Sequence, residues 1–246
     1  MRVVSTVILT GLLFGACGGS SSSSDQVLVS AASSLSDAFA ELESAFEALN
    51  PGIDVVLNLG GSSLLREQII AGAPVDVYAS ASASDMGQVV DARMAHDPNI
   101  FALNLTEIVV PSGNPAGVTD LDAFGEDHLL IGLCDPGVPC GSYGRQVLAL
   151  AGVDPVVDTN EPNVRSLLTK VEAGELDAGI VYVTDVLAAQ GSVDGIAIPD
   201  GLNVIAEYPL AVMVEAPNRE GADLFVEFIL SSEGASILAE HGFLLP

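Results

Sequence analysis

The sequence has no tryptophan, and aromatic residues of all kinds make up 5% of its 246 positions. An aromatic-lined sugar cleft is therefore not expected. Positive charge is nearly as scarce. Seven Lys plus Arg stand against 33 Asp plus Glu, for a formal charge of −26, and Lys170 is the one lysine. Nucleic-acid binding needs clustered Lys and Arg, and adhesion to anionic lipid through the protein's own surface needs the same; both are disfavoured. His96, His128 and His241 are scattered, so no metal-ligand cluster stands out. A Walker-type loop, an H-E-x-x-H pair and a G-x-S-x-G elbow are all missing. The stretch Cys140-Gly141-Ser142-Tyr143-Gly144 lacks the first glycine of that elbow. The expected class is a binding protein without catalytic residues, cofactor or protein–metal ligands.

Apolar residues are abundant, at 49%, with 16% charged. That balance excludes a disordered chain and is enough for a full core in one or two domains. The N-terminus reads as an address. Arg2 precedes the apolar run Val3 to Phe14, and the small residues Gly15 and Ala16 precede Cys17. This is an export signal, too short to span a membrane. A cysteine in this place resembles the lipobox of bacterial lipoproteins, in which the peptide is cut before the cysteine and the cysteine is lipidated. Phe14 departs from that pattern, where an aliphatic residue is usual. Residues 1–16 are read as a lipoprotein signal peptide, Cys17 as the lipidation site, and 17–25 as a flexible Gly/Ser tether. The folded part starts near Gln26, on the extracytoplasmic face of the cell membrane.

Export decides how Cys134 and Cys140 are read. Two cysteines in an exported chain, with no further ligand beside them, predict a disulfide. Pro136, Gly137 and Pro139 between them favour a turn that brings the two together. Such a bond stabilises by roughly 2–3 kcal/mol.

Beyond the tether, apolar runs and helical spacings alternate. Val27–Val29, Ile53–Leu59, Val75–Ala79, Thr106–Val110, Leu129–Leu133, Ala178–Val183 and Tyr208–Val214 read as strands. Helices are expected from Leu35 to Leu49, Leu64 to Ala71, Ser84 to Ala92, Tyr143 to Leu150, Asn163 to Ala173 and Asp185 to Ala189. Two more close the chain, from Gly221 to Leu230 and from Ser232 to Glu240. The alternation predicts α/β layers with largely parallel sheets, whose strand-end loops are where ligands bind. Two such loops share a chemistry. Ser33-Ser34 and Gly60-Gly61-Ser62-Ser63 each follow a strand and open a helix. Serines there are either ordinary N-caps or, with the free N–H groups of the helix start, donors to an anion. Tyr182, ending the strand in AGIVYVTD, is either an amphipathic tyrosine capping the core or part of a site.

The segments VSAASSLSDAF, LNLGGSSLLREQIIAGAPVDVYASA, CDPGVPCGSYG, EPNVRSLLTKVEAGELDAGIVYVTD and EYPLAVMV, with the ending ILAEHGFLLP, occur in this order. Together they resemble the periplasmic molybdate-binding proteins of ABC importers, from about Val27 to Pro246. The resemblance implies a two-lobed periplasmic-binding-protein fold of type II-like form, with two crossover segments and the ligand between lobes. The crossings are placed near Leu105–Pro111 and Ala206–Val212, giving lobe one as 26–105 plus 210–246 and lobe two as 106–209. It also implies ligand contacts at Ser34, Ser62, the backbone N–H of Cys140, that of Val164, and Tyr182. Alanine is common in the family where this chain has Cys140, which is tolerable for a backbone donor. Arg165, the cation nearest by sequence, is expected to pair with a surface carboxylate. The implied role is capture of molybdate, with tungstate beside it, by a monomer that delivers it to an ABC permease driven by a cytoplasmic ATPase. The alternatives are a binder selective for tungstate or sulfate, an exported serine hydrolase and a tethered adhesin.

Overall fold

A computed structural model describes residues 26–246; the signal-peptide, Cys17 and tether readings fall outside the described residues. The first unit is the strand β1 (Gln26–Ala32), a short 3-10 turn at Ser33–Leu35 and the helix α1 (Ser36–Leu49). Ala38, Phe39, Leu42 and Phe46 recur at helical spacing and are the buried face of α1. Asn50 ends the helix by returning its N–H to the carbonyls of Phe46 and Glu47. Next come β2 (Asp54–Gly60), α2 (Ser62–Ile70), β3 (Val77–Ala79) and α3 (Ala83–Asp91). β1 pairs in parallel with β2 on one side and β3 on the other, with Val29 opposite both Leu57 and Val77. It is buried on both faces for most of its length, which is why its sequence is a continuous apolar run.

The long strand β4 (Asn99–Pro111) connects two halves. Up to Leu105 it pairs with β9 (Ile205–Val212), and β9 in turn pairs with β3. From Thr106 onward β4 pairs with β7 (Ala178–Tyr182) and β8 (Val193–Ala197). β5 (Ile131–Cys134) lies parallel to β7 and to β6 (Thr159–Glu161). The strand order is β2-β1-β3-β9-β4-β7-β5-β6, with β8 beside β4. Helices α4 (Pro139–Ala151), α5 (Val164–Glu172) and α6 (Val183–Ala188) belong to the second half. The helices α7 (Arg219–Leu230) and α8 (Ser232–Glu240) return to the first. Phe225 of α7 packs edge-on against Phe39 and Phe46 of α1, with ring centroids 6.4 and 5.1 Å apart.

The expectation of largely parallel sheets needs correcting. The outer pairs are parallel, but β4 runs antiparallel to β9, β7 and β8. β4 and β9 carry the chain from one half to the other and back, so they run in opposite directions. A strand–helix rhythm in the sequence does not register that reversal. Residues 99–105 of β4 and all of β6 and β8 were not anticipated as strands. α4 begins at Pro139 rather than Tyr143, with proline at the first helical position, where its fixed φ and missing N–H cost nothing.

One apolar cluster of the first half continues across the seam to Val164, Leu167 and Val181, and a second cluster lies within the second half. Val27, Phe39, Phe46 and Phe225 sit in one, and Ile108, Phe124, Ile131 and Ile180 in another. Replacing Phe225 with alanine opens a cavity beside the rings of Phe39 and Phe46. The expected cost is about 3–5 kcal/mol in urea unfolding, and a change below 1 kcal/mol would contradict this packing.

Candidate functional site

Each strand–helix junction at the seam leaves a helix start facing one cleft. The cleft is lined by Ala32, Ser33 and Ser34 from the β1–α1 turn, and by Gly60, Gly61 and Ser62 before α2. Val138, Pro139 and Cys140 of α4, Asn163 and Val164 of α5, Ala81 and Tyr182 complete it. The residues anticipated from sequence, Ser34, Ser62, Cys140, Val164 and Tyr182, thus come together from separate stretches of chain, and all are buried. The space is small, about 10 Å³. Pockets for organic ligands run from roughly 300 to 1,000 Å³.

The first N–H groups of any helix lack an intrahelical partner. Helices elsewhere satisfy one with a side chain. Ser82 Oγ accepts from Asp85 at 3.2 Å, Asn218 Oδ1 from Gly221 at 3.0 Å, and Ser231 Oγ from Gly234 at 3.2 Å. At the cleft, the turn at Ser33–Leu35, α2 and α4 have no side-chain cap. α5 is intermediate, since Asn163 Oδ1 accepts from Ser166 at 2.9 Å, two residues beyond Val164. The serines of the two loops are therefore not N-caps. Ser62 Oγ accepts the Ala81 N–H at 3.0 Å, which turns its own proton outward. Ser34 Oγ lies 2.8 Å from the Tyr208 hydroxyl. With Tyr208 donating, the Ser34 proton is likewise free for the cleft.

Tyr182 supplies the sharpest observation. Its hydroxyl is buried in the cleft wall with no hydrogen-bond partner among the described residues. Such an orphan costs about 1–3 kcal/mol unless a ligand completes it. Burial, with the neighbouring tyrosines and Asp185, holds its pKa well above the ordinary tyrosine value, so it stays a donor. The rings of Tyr143 and Tyr208 pack edge-on against it at 6.5 and 6.0 Å.

Among the described residues, no basic side chain lines the cleft. Arg165 follows Val164 directly, yet its guanidinium binds the Asp37 carboxylate on the opposite wall. Its Nε is 3.1 Å from Asp185 Oδ1. The other oxygen of Asp185 accepts the Tyr182 N–H at 3.2 Å. Asp185 is fully buried, and burial pushes its carboxyl up to about 6 against the pull of Arg165. The walls also touch directly. Ser63 Oγ donates to the Gly137 carbonyl at 2.7 Å, and a Cβ on Gly61 would stand 2.9 Å from the Pro162 carbonyl oxygen. The arrangement is a neutral, donor-rich cage suited to a small anion.

Residues 27–244 match the model of a family described as bacterial extracellular solute-binding protein. The chain belongs to that family. Within it, the molybdate-binding protein ModA of Mycobacterium tuberculosis is 34% identical over 254 residues, covering 99% of this chain and 97% of that one. This puts the protein in the molybdate-binding branch of the ABC-transporter solute-binding proteins. The solved periplasmic molybdate-binding protein of Azotobacter vinelandii has a TM-score of 0.79 at 19% identity, over 89% of this chain and 99% of that one. The sulfate-binding protein SubI of M. tuberculosis has a TM-score of 0.81 at 18% identity, over 89% and 86%. The fold is accordingly the mixed α/β, two-lobed fold of periplasmic binding proteins. As a member of the family, the chain is a non-catalytic, extracytoplasmic solute-binding protein for a small anion. No cluster of three His, Cys, Asp or Glu able to hold a metal exists among the described residues.

The expected disulfide is present, joining Cys134 to Cys140, and Arg165 pairs with a carboxylate as expected. Sequence reasoning marked the Gly60-Gly61 loop but did not assign Ala81, Asn163 or Tyr208 to the site. The Gly60-Gly61 pair carried a signal for close approach; Tyr208, distant along the chain from Ser34, carried none.

Asp185 binds its proton more tightly in the folded chain than unfolded. Folding stability from this group is therefore greatest below about pH 4 and declines as pH rises through about 6. Asp185→Asn should flatten that part of the melting-temperature profile, by up to about 3 kcal/mol. An unchanged slope between pH 4 and 6.5 would contradict it.

Proposed function

We propose that the protein captures molybdate, and tungstate nearly as well, and hands it to an ABC permease powered by a cytoplasmic ATPase. Ser34 and Ser62 give hydroxyls, Cys140 and Val164 give backbone N–H groups, and Tyr182 gives its phenol. The oxyanion is held through its oxygens, without a protein–metal bond. In this reading lobe one is 26–105 plus 210–246 and lobe two 106–209, and the change of strand partner along β4 after Leu105 supports that division. A lipid on Cys17 would keep the monomer at the extracytoplasmic face.

The observation that carries the reading is the orphaned Tyr182 hydroxyl among groups that can all donate. Molybdate is a tetrahedral dianion without a proton at neutral pH, so each oxygen accepts. Hydrogen phosphate carries a proton that would face another donor, a mismatch that discriminates strongly. Sulfate has no such proton and is excluded by its shorter bonds, which leave the cage too wide. Hydrogen bonds to a charged acceptor contribute roughly 1.5–3 kcal/mol each. Five such bonds amount to roughly 8–15 kcal/mol, the order of the roughly 8 kcal/mol that micromolar binding requires. Contacts from both walls favour the closed form, since a ligand shifts an equilibrium only by differential affinity.

Titration calorimetry against molybdate, tungstate, sulfate and phosphate tests this. Heat is expected with the first two, and Tyr182→Phe and Ser62→Ala should each weaken molybdate binding by about 10- to 100-fold while remaining folded. Wild-type affinity in both variants would remove these contacts, and a preference for sulfate would replace the ligand.

A further inference from the structure

We propose that the Cys134–Cys140 disulfide is a positioning device for the oxyanion site: it holds the start of α4 so that the Cys140 N–H points into the cleft. The inference rests on the oxyanion reading and deepens it.

Each helix start at the cleft is held by something. The Tyr78 hydroxyl donates to the Ser62 carbonyl at 2.9 Å, and the Ala81 N–H to Ser62 Oγ, fixing α2. Tyr208 holds Ser34, and Asn163 braces α5 through Ser166. α4 starts after Val138 with no side-chain hydrogen bond at its cap, as the Ser33–Leu35 turn does after Ala32, but among the described residues no side chain from another element hydrogen-bonds its first residues, Pro139 and Cys140. A polar cap there would restrain the helix but would also accept one of the N–H groups that the anion needs. A disulfide restrains it without offering a strong acceptor. The bond joins the last residue of β5 to the second residue of α4, six positions apart. It is thus attached to the residue whose N–H is proposed to bind.

The enclosed loop also makes the contact across the cleft. Gly137, which accepts from Ser63 of the opposite wall, lies inside the ring closed by the two cysteines. The loop is folded directly onto the helix start: a Cβ on Gly141 would sit 1.9 Å from the Asp135 carbonyl oxygen. Arg145 spans the two, donating to the carbonyls of Cys134 at 2.7 Å and Gly141 at 3.1 Å. The Arg145 bonds and the disulfide bridge the same segment, and the disulfide is its covalent closure. Without it, the segment carrying both the donor and the cross-cleft acceptor gains freedom, and both contacts weaken together. An anion site completed by a disulfide is fully formed only in an oxidising compartment, which is where an exported chain resides.

The test compares wild type with Cys134→Ser/Cys140→Ser, by molybdate calorimetry and by stopped-flow release. The expected result is a variant that is folded by circular dichroism yet binds at least tenfold more weakly, chiefly through faster release. Phe124→Leu, a core change in the same half away from the cleft, serves as control. It should lower the melting temperature but leave the release rate unchanged. A folded double-serine variant with wild-type affinity and release would overturn the proposal, as would an equal loss of affinity in the control. If the double variant does not fold, wild type saturated with molybdate and then reduced with a phosphine is used. Faster release supports the proposal, and an unchanged rate overturns it. Absence of molybdate binding by the oxidised wild type would instead overturn the oxyanion reading itself, and this inference with it.

Discussion

A helix start buried without a cap is a debt of unsatisfied N–H groups, and this fold gathers several at one point. The turn at Ser33–Leu35, α2 and α4 lack side-chain caps where they meet the cleft, while α3, α7 and α8 have them elsewhere. The orphaned Tyr182 hydroxyl adds a further unpaired donor. Each such group is expensive where it is buried without a partner. The collection is tolerable only if a many-acceptor partner enters, and an anion also meets the positive end of each helix. The remaining features of the seam keep these donors in place.

The charged residues near the site illustrate this. Arg165 stands beside Val164 but is engaged by Asp37 and Asp185, so the cage remains neutral although a guanidinium is within one residue of it. Asp185 in turn fixes the Tyr182 backbone. A free cation would bind many anions by charge; directed neutral donors bind by geometry and by the absence of a proton on the ligand. The formal charge of −26 opposes a dianion at long range, but at physiological salt that field fades within about 8 Å. Short-range hydrogen bonds in the cleft therefore decide the outcome.

The sequence made the strand–helix units and the donor loops visible because both are local. Apolar spacing from Ala38 to Phe46 marks α1, and serines placed between a strand and a helix mark the cleft. The pairing of Cys134 with Cys140 was equally local. What escaped was set by distant contacts or by weak patterning. β6 and β8 are short, and the apolar run at the start of β4, Ile100–Leu103, is four residues long and interrupted by Asn104. The antiparallel course of β4 and β9 depends on chain travel between halves. That Ser34 and Ser62 are not N-caps is visible only through their partners Tyr208 and Ala81, and no spacing rule links those residues.

Diffraction at the molybdenum absorption edge from crystals grown with molybdate tests the central claim most directly. One strong anomalous peak is predicted between the walls, with oxygens within hydrogen-bonding distance of the Ser34, Ser62 and Tyr182 hydroxyls and of the Cys140 and Val164 N–H groups. A peak elsewhere, or no peak in the cleft, would contradict the account.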